Sequence, residues 1–394
     1  MKKKILVVPR FYPSKEKSVG GFFKDQMLLM SDTFDFAVLN GKCVGVTYKD
    51  WIKSIIKNIF KHRSFVSYER TDDKYSQEVP TMSVEYIWKS TAYDLVSRKQ
   101  YELRQRMFDK LFDQIAPDLI HIQSASSMGV YAMDWAKRHN IPTILTEHCN
   151  FGFGSDYWSN KVKALYEQVD RVLCVSHSLL RHLLMHLWKP KSFAIVGNYV
   201  NEAELFKGTE RACNNKVLFV AAHKVCKDVE VMIDAVEIAI KIIPDIVVSF
   251  IGMSKDDGDY GSEYYQMIVD KGLQEHILMP GRMNRSELRA TYSQHSMLIS
   301  TSHGETFGLA VAEALMNGLP VACTDSGGIR EFVDESNGIV VHIQEPRLMA
   351  EAIISVLSNL DKYDAKKISS KLLANYGKSV FKSRMIDQYN EVMR

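Results

Sequence analysis

Apolar residues in this chain come in short runs. In the first half, runs rich in β-branched residues occupy 5–8, 36–39, 119–122, 143–146, 172–175 and 193–196, each ending at a polar or Gly/Pro-bearing loop. A second series occupies 217–220, 246–251, 277–279, 297–300, 320–323 and 338–341. Near-continuous apolarity over so short a run marks a strand covered on both faces, as in a parallel sheet. Between the runs, segments 101–115, 128–139, 176–187, 229–243, 285–295 and 310–317 carry apolar positions at helical spacing. Strands alternating with helices predict βαβ units with right-handed crossovers. Two series of about six strands each predict an α/β protein of two doubly wound lobes. The stretch 198–215 is polar and irregular, which predicts the linker. The lobes are therefore expected at 1–197 and 198–379, with the amphipathic tail 380–394 joining the first. Ligands of such sheets bind beyond the carboxyl ends of the strands, so the loops there are where binding residues are expected.

Composition narrows this picture. With 394 residues, 46% hydrophobic and 25% charged, the chain is ordinary for a globular protein, which excludes disorder, collagen-like sequence and a disulfide scaffold. The six cysteines (Cys43, Cys149, Cys174, Cys213, Cys226 and Cys323) form no C-x-x-C pair. Cys149, Cys174, Cys226 and Cys323 lie in or beside apolar runs, as buried reduced thiols do. The apolar run at 5–8 is too short for a signal peptide, and no run reaches membrane-spanning length, so a cytoplasmic location is expected.

Charge adds an asymmetry. Residues 1–200 carry 29 Lys+Arg against 20 Asp+Glu, a net +9; residues 201–394 carry 21 against 27, a net −6; together they give the chain's +3. Either the first half meets something anionic or the surfaces of two lobes simply differ. Within the first half, 48–63 places Ile52, Ile55, Ile56, Ile59 and Phe60 on one helical stripe, with Lys53, Lys57, Lys61 and Arg63 mostly outside it. Such a cationic amphipathic helix can lie in an anionic membrane interface or pack on its own lobe.

The stretch 302–320, SHGETFGLAVAEALMNGLP, is the richest in candidate chemistry. A strand ends, a loop follows, and a helix is expected to begin around Phe307. Gly308 lets a ligand approach the backbone, and unpaired first-turn N–H groups with the helix dipole favour an anion such as phosphate. Glu305 precedes the helix and Glu313 lies about two turns inside; either Glu313 faces the strand ends, where it can accept hydrogen bonds from sugar hydroxyls, or the helix simply has an acidic start and one solvated glutamate. Gly327 and Gly328 in 324–328, TDSGG, form a second flexible, donor-rich loop or simply a turn.

These segments resemble a known family. ETFGLAVAEALMNGLPVACTDSGGIREFV, continued by NGIVV at 337–341, is similar to the Glu-x7-Glu signature of the retaining glycosyltransferases of the GT-B fold, family four, also called "group 1". PRFYPSKEKSVGGFFKDQ, the region 117–152 and VDRVLCVSHSL resemble the same family's first lobe, leaving 46–100 as the main unmatched part. The resemblance implies two Rossmann-like lobes facing each other across a cleft, and a sugar moved from a nucleotide diphosphate-sugar donor to a glycan or lipid-linked glycan acceptor, in surface-polysaccharide assembly of the bacterial type. It implies that Glu313 holds the ribose, Glu305 contacts the transferred sugar, and backbone groups of Phe307, Gly308 and Leu309 meet sugar or diphosphate. Gly20 and Gly21 would approach the diphosphate, His148 would point at the reacting sugar, and Lys227 would neutralise the diphosphate. Where the family usually places Arg five residues before that lysine, this chain has Ala222, and Lys224 or Arg282 is the candidate substitute. The family's Asn-Gly-Val-Asp run is here Asn198-Tyr199-Val200-Asn201. No metal, cofactor or nucleic-acid partner is implied, and the enzyme would be peripheral at the inner membrane face if 48–63 docks there.

Other chemistries lack their signatures. There is no Gly-x4-Gly-Lys-Ser/Thr, Gly-x-Gly-x-x-Gly, Gly-x-Ser-x-Gly or H-E-x-x-H. The run 256–259 reads as a solvated acidic loop and Ser176 as a helix cap. The alternatives that keep the fold are a sugar epimerase or phosphorylase, and a non-catalytic glycan-binding or scaffold protein.

Overall fold

The computed structural model describes residues 1–12, 20–46, 66–69, 81–89, 98–149, 156–186, 189–202, 205, 214–222 and 225–394. They divide into two compact units, Met1–Val175 with Leu180–Val196 and Lys382–Arg394, and Ser176–Leu179 with Gly197–Phe381. The segment 48–63 and Lys224 lie outside the described residues.

The first unit is built on an eight-stranded sheet. Its strands are β1 (Lys4–Pro9), β2 (Asp35–Val46), β3 (Val66–Glu69), β4 (Thr81–Lys89), β5 (Leu119–Gln123), β6 (Thr143–Glu147), β7 (Arg171–Cys174) and β8 (Phe193–Ile195). The order is β3-β4-β2-β1-β5-β6-β7-β8, parallel throughout except for β3 against β4. Helices α1 (Gly21–Met30), α2 (Arg98–Ile115), α3 (Ser127–His139), α4 (Asp156–Gln168) and α5 (His177–Met185) alternate with the strands. Six strands lie where the apolar runs predict them. The expectation of about six is corrected to eight by β3 and β4, whose sequence gives a different signal. In β4, Met82, Val84, Tyr86 and Trp88 alternate with other residues, the period of two of a strand read on one face rather than a continuous run.

Local chemistry explains the element ends. Ser126 caps α3 by accepting from the Gly129 N–H at 3.1 Å, and Asn140 closes it in the left-handed region at φ 54°. Lys137, Arg138 and His139 in its last turn complement the helix dipole. Ser176 caps α5, accepting from Leu179 N–H at 3.1 Å, as expected.

The last helix of the chain, α12 (Lys378–Val392), begins where the Glu202 carboxylate accepts from Lys378 N–H at 2.6 Å. Phe381, Met385 and Tyr389 form its buried stripe. On the first unit, the Tyr389 hydroxyl meets Nδ1 of the buried His121 at 2.7 Å, whose Nε2 meets Thr146 Oγ1 at 2.7 Å. Burial pushes the His121 imidazolium pKa down to about 3, so the ring is neutral. Arg171 bonds Gln388 at 2.8 Å and pairs with Glu391, and Lys382 pairs with Asp32 at 2.5 Å.

The second unit carries a six-stranded parallel sheet, order β11-β10-β9-β12-β13-β14. These are β9 (Lys216–Val220), β10 (Val247–Ile251), β11 (Ile277–Gly281), β12 (Met297–Ser300), β13 (Val321–Thr324) and β14 (Gly338–Val341), at the predicted places. Its helices are α6 (Val229–Ala239), α7 (Gly258–Asp270), α8 (Arg285–Tyr292), α9 (Leu309–Met316), α10 (Pro346–Ser358) and α11 (Ala365–Tyr376). The reading of 256–259 as an acidic loop is corrected: Asp257 turns the chain by accepting from Ser254 N–H at 2.9 Å, and Gly258 already opens α7.

In each sheet the chain reverses its direction of winding once. From β9 it proceeds to β10 and β11 on one side, then returns to β12, β13 and β14 on the other. The equivalent place in the first sheet lies between β1 and β5. The loops that diverge at such a point leave a crevice at the strand ends. No described helix is long and apolar enough to cross a membrane.

Candidate active site

In the second unit, the loops after β9 and β12 diverge at the switch point and are tied to each other. Thr301 Oγ1 donates to the carbonyls of Lys227 and Asp228 at 2.9 and 2.8 Å, and His303 N–H donates to Cys226 O at 3.0 Å. This brings Lys227 Nζ to Glu305 Oε1 at 2.5 Å, and Ser302 Oγ donates to the same oxygen at 2.9 Å. The two side chains are only 20% and 15% exposed, so the pair lies in a partly dry setting. Among the described residues, no hydrogen bond is made to Glu305 Oε2.

The loop that carries Glu305 is zipped to the one after β13. Glu305 N–H donates to Ser326 O and Gly328 N–H to Glu305 O, both at 2.8 Å. A Cβ on Gly328 would stand 2.4 Å from Thr306 C and O, and one on Gly308 would stand 2.7 Å from Ile329 Cγ2. The reading of Gly327 and Gly328 as a flexible donor-rich loop is therefore corrected. Glycine is needed here for close packing, and the Gly328 N–H is already bonded to protein.

Helix α9 begins at Leu309, later than the expected Phe307. Gly308, at φ 92°, sits in the left-handed region, and the Phe307 ring is held in the core against Phe332 and Tyr376, at 5.0 and 5.2 Å between centroids. Gly308 offers no side chain to cap the helix, and the first N–H to bond within it is that of Ala312, at 3.0 Å from Gly308 O. The N–H groups of Leu309, Ala310 and Val311 thus point out of the helix start beside Glu305. The later start leaves Glu313 little more than about one turn inside, not two. Glu313 is half-buried and accepts from the Tyr292 hydroxyl at 3.0 Å.

The remaining predicted residues fall elsewhere. Arg282 is exposed, just beyond the edge strand β11, two strands or about 10 Å from β9. In the first unit, Gly20 stands at φ 86° before α1, with no room for a Cβ, which would lie 2.8 Å from Phe11 O; Gly21 opens the helix. His148 follows β6, is 8% exposed, and packs at 5.1 Å against both Phe22 and Phe23. Its Nε2 meets Gln123 Oε1 at 2.7 Å.

Sequence reasoning missed what holds His148. Glu147 is fully buried and accepts from the N–H groups of Ala125, His148 and Cys149 at 3.0, 2.9 and 2.8 Å, and from the Tyr166 hydroxyl. Burial and this carboxylate hold the Tyr166 hydroxyl well above its ordinary pKa. A charged residue closing an apolar run was the available signal. Of the four thiols expected to be buried, Cys174 and Cys323 are; burial raises both, Cys174 to about 12. Cys149 and Cys226 are only partly buried, because both lie beyond strand ends, Cys149 in a loop and Cys226 in a short 3-10 turn at Val225–Lys227.

With this geometry in place, comparison with known proteins is informative. The family profile described as Glycosyl transferases group 1 matches residues 200–371, and that described as Glycosyltransferase Family 4 matches 63–204. The phosphatidylinositol N-acetylglucosaminyltransferase GPI3 subunit of Saccharomyces cerevisiae is 25% identical over 224 residues, covering 53% of this chain and 48% of that one. The chain thus spans about half the length of the curated relatives of this kind that it matches. An uncharacterized 41.2 kDa protein in the cps region of Klebsiella pneumoniae is 20% identical over 373 residues, covering 89% and 98% of the two chains. Among solved structures, Anabaena Alr3699/HepE in complex with UDP and glucose has a TM-score of 0.72 at 14% identity, covering 99% of this chain and 100% of that one. The two profiles meet end to end across both units, the fold is shared along the whole chain, and the chain belongs to the group 1 glycosyltransferases of the GT-B fold.

Proposed function

We propose that this chain is a retaining glycosyltransferase that moves a sugar from a nucleotide diphosphate-sugar to a glycan or lipid-linked glycan acceptor. One observation carries the reading: a Lys227–Glu305 pair beside the open start of α9, at the switch point of a parallel sheet. This is where physical chemistry favours a phosphate flanked by a sugar. Glu313 accepts from the ribose hydroxyls, oriented by Tyr292. Glu305 uses its Oε2 toward a hydroxyl of the transferred sugar. Backbone groups of Phe307, Gly308 and Leu309 meet the sugar or the diphosphate. We assign Gly20 and Gly21 to the diphosphate and His148 to the reacting sugar.

In the reaction, the bond between the anomeric carbon and the diphosphate oxygen breaks, and negative charge develops on the phosphate. The α9 N–H groups and Lys227 stabilise that charge where it appears. The acceptor oxygen bonds the anomeric carbon on the same face, and its proton passes to the leaving phosphate, so no protein nucleophile is required. The Anabaena structure's UDP and glucose support a nucleotide-sugar donor, and the Klebsiella relative's cps region supports surface-polysaccharide assembly.

Thermal-shift screening of UDP-, GDP- and ADP-sugars, followed by transfer assays, tests the reading. A Glu313→Ala variant that consumes donor as fast as wild type refutes the assigned site. Nucleotide release without sugar transfer points instead to an epimerase or phosphorylase. Peripheral membrane docking through 48–63 predicts cosedimentation with anionic vesicles at low salt, lost on Lys53/Lys57/Lys61→Glu.

A further inference from the structure

Next to Lys227, Asp228 adopts a left-handed conformation, φ 43° and ψ 60°, that costs a non-glycine residue roughly 1 kcal/mol. It stands immediately before α6, where an aspartate ordinarily caps the helix, yet its carboxylate makes no capping bond. Asp228 Oδ2 instead accepts from His303 Nδ1 at 3.0 Å. Since a carboxylate can only accept, Nδ1 carries a proton, and Nε2 is the nitrogen left to face outward. The His303 side chain is 35% exposed against 14% for Asp228, and Nε2 has no hydrogen-bond partner among the described residues. The tie between the two loops does not need this imidazole: the Thr301 hydroxyl and the His303 backbone N–H already hold residues 226–228.

A strained backbone kept so that a largely covered carboxylate can aim a partly exposed imidazole, two residues from Glu305 and beside Lys227, is a functional arrangement rather than a loop clasp. We propose that His303 contacts the donor diphosphate directly, with Asp228 as its positioning residue. This rests on the donor site proposed above. In that contact Nδ1–H stays on Asp228 and Nε2–H donates to a non-bridging oxygen of the phosphate nearer the sugar. His303 forms no bond to the sugar and keeps its proton throughout. The acceptor's proton still passes to the leaving phosphate, so the atoms balance as before. His303 then shares with Lys227 the charge that develops on the leaving group.

The test compares binding of UDP, GDP and ADP with that of UMP, GMP and AMP by calorimetry. The proteins are wild type, Lys227→Ala, His303→Asn and His303→Gln, each checked for an unchanged melting temperature. Asparagine can keep the bond to Asp228 in place of Nδ1 but has nothing at the Nε2 position; glutamine reaches toward that position but loses the tether. Wild type is expected to bind one diphosphate more tightly than its monophosphate. His303→Asn should weaken the diphosphate about tenfold and leave the monophosphate within about twofold, the loss of one hydrogen bond to a charged group. His303→Gln should fall between the two. If Lys227→Ala weakens the diphosphate while His303→Asn does not, the inference is overturned and the donor site stands. If wild type binds no nucleotide, or shows no preference for diphosphates, the donor-site reading fails and takes the inference with it.

Discussion

Replacing Gly328 by alanine adds one methyl group where three backbone atoms already stand within 2.5 Å of the position it would take. The new Cβ would lie 2.4 Å from the Thr306 carbonyl carbon and oxygen and 2.5 Å from the Phe307 nitrogen. Ordinary contact begins near 3.4 Å, so about 1 Å must be cleared, and every atom in the way is backbone. That backbone is held from both sides. Glu305 N–H and O bond Ser326 and Gly328, and the Phe307 ring is wedged against Phe332 and Tyr376. Relief therefore breaks a hydrogen bond or lifts Phe307, for a cost of about 2–4 kcal/mol. At about 2–4 °C per kcal/mol for a unit of this size, the second unit should melt about 4–16 °C lower. Gly272→Ala is the control, because its φ of +66° is left-handed but a Cβ there meets nothing within 4 Å, leaving only about 1 kcal/mol of backbone strain. Differential scanning calorimetry on both variants, with a nucleotide titration, reads the difference. If Gly328→Ala melts no lower than Gly272→Ala, or binds nucleotide as wild type, the packing argument is wrong.

Three further outcomes are expected. Glu147→Gln should lower the stability of the first unit by about 2–4 kcal/mol in urea titrations, because an amide NH2 would face an N–H or hydroxyl donor that the carboxylate now accepts from. Tyr292→Phe should raise the donor KM several-fold with little change in kcat and melting temperature, since it removes only the hydroxyl bonded to Glu313. His121 gives the first unit a pH dependence of definite sign. Its folded pKa of about 3 lies below the unfolded value of about 6.5, so the unfolded chain binds the proton first as pH falls. The stability is fully present above about pH 6.5 and is lost toward pH 3, by about 2 kcal/mol at pH 5. His121→Gln should flatten that part of the urea-derived stability profile; an unchanged slope refutes the assignment.

Much of the fold was legible because a parallel sheet covered on both faces writes its strands as unbroken apolar runs. All six strands of the second unit lie on such runs. Strands β3 and β4 did not read that way, since alternation at Met82, Val84, Tyr86 and Trp88 is a different signal. Helices α1, α4, α7, α10 and α11 were missed, and α7 opens in a run of Asp and Gly that composition alone assigns to a loop. For the site, Glu305 and Glu313 stood out by their place around a helix start and Lys227 by the family resemblance, but neither showed the meeting of Lys227 with Glu305 across 78 positions. The start of α9 depended on the left-handed Gly308, and the burial of Glu147 on four donors from three separate loops and helices. No local pattern encodes either. His303 was invisible because its meaning comes from Asp228, a residue far away in sequence.

The division of the chain between the two units carries a consequence for how the protein is made. The first unit includes Lys382–Arg394, and the neutral His121 at its centre waits for Tyr389. The second unit is finished at Phe381. During synthesis, the unit whose first residues emerge earliest is thus the later of the two to have all its parts. Until then β5 presents an imidazole without the tyrosine hydroxyl that its Nδ1 meets in the finished unit. The unit begun second is the one able to close first, and the final helix acts as the latch of the one begun before it.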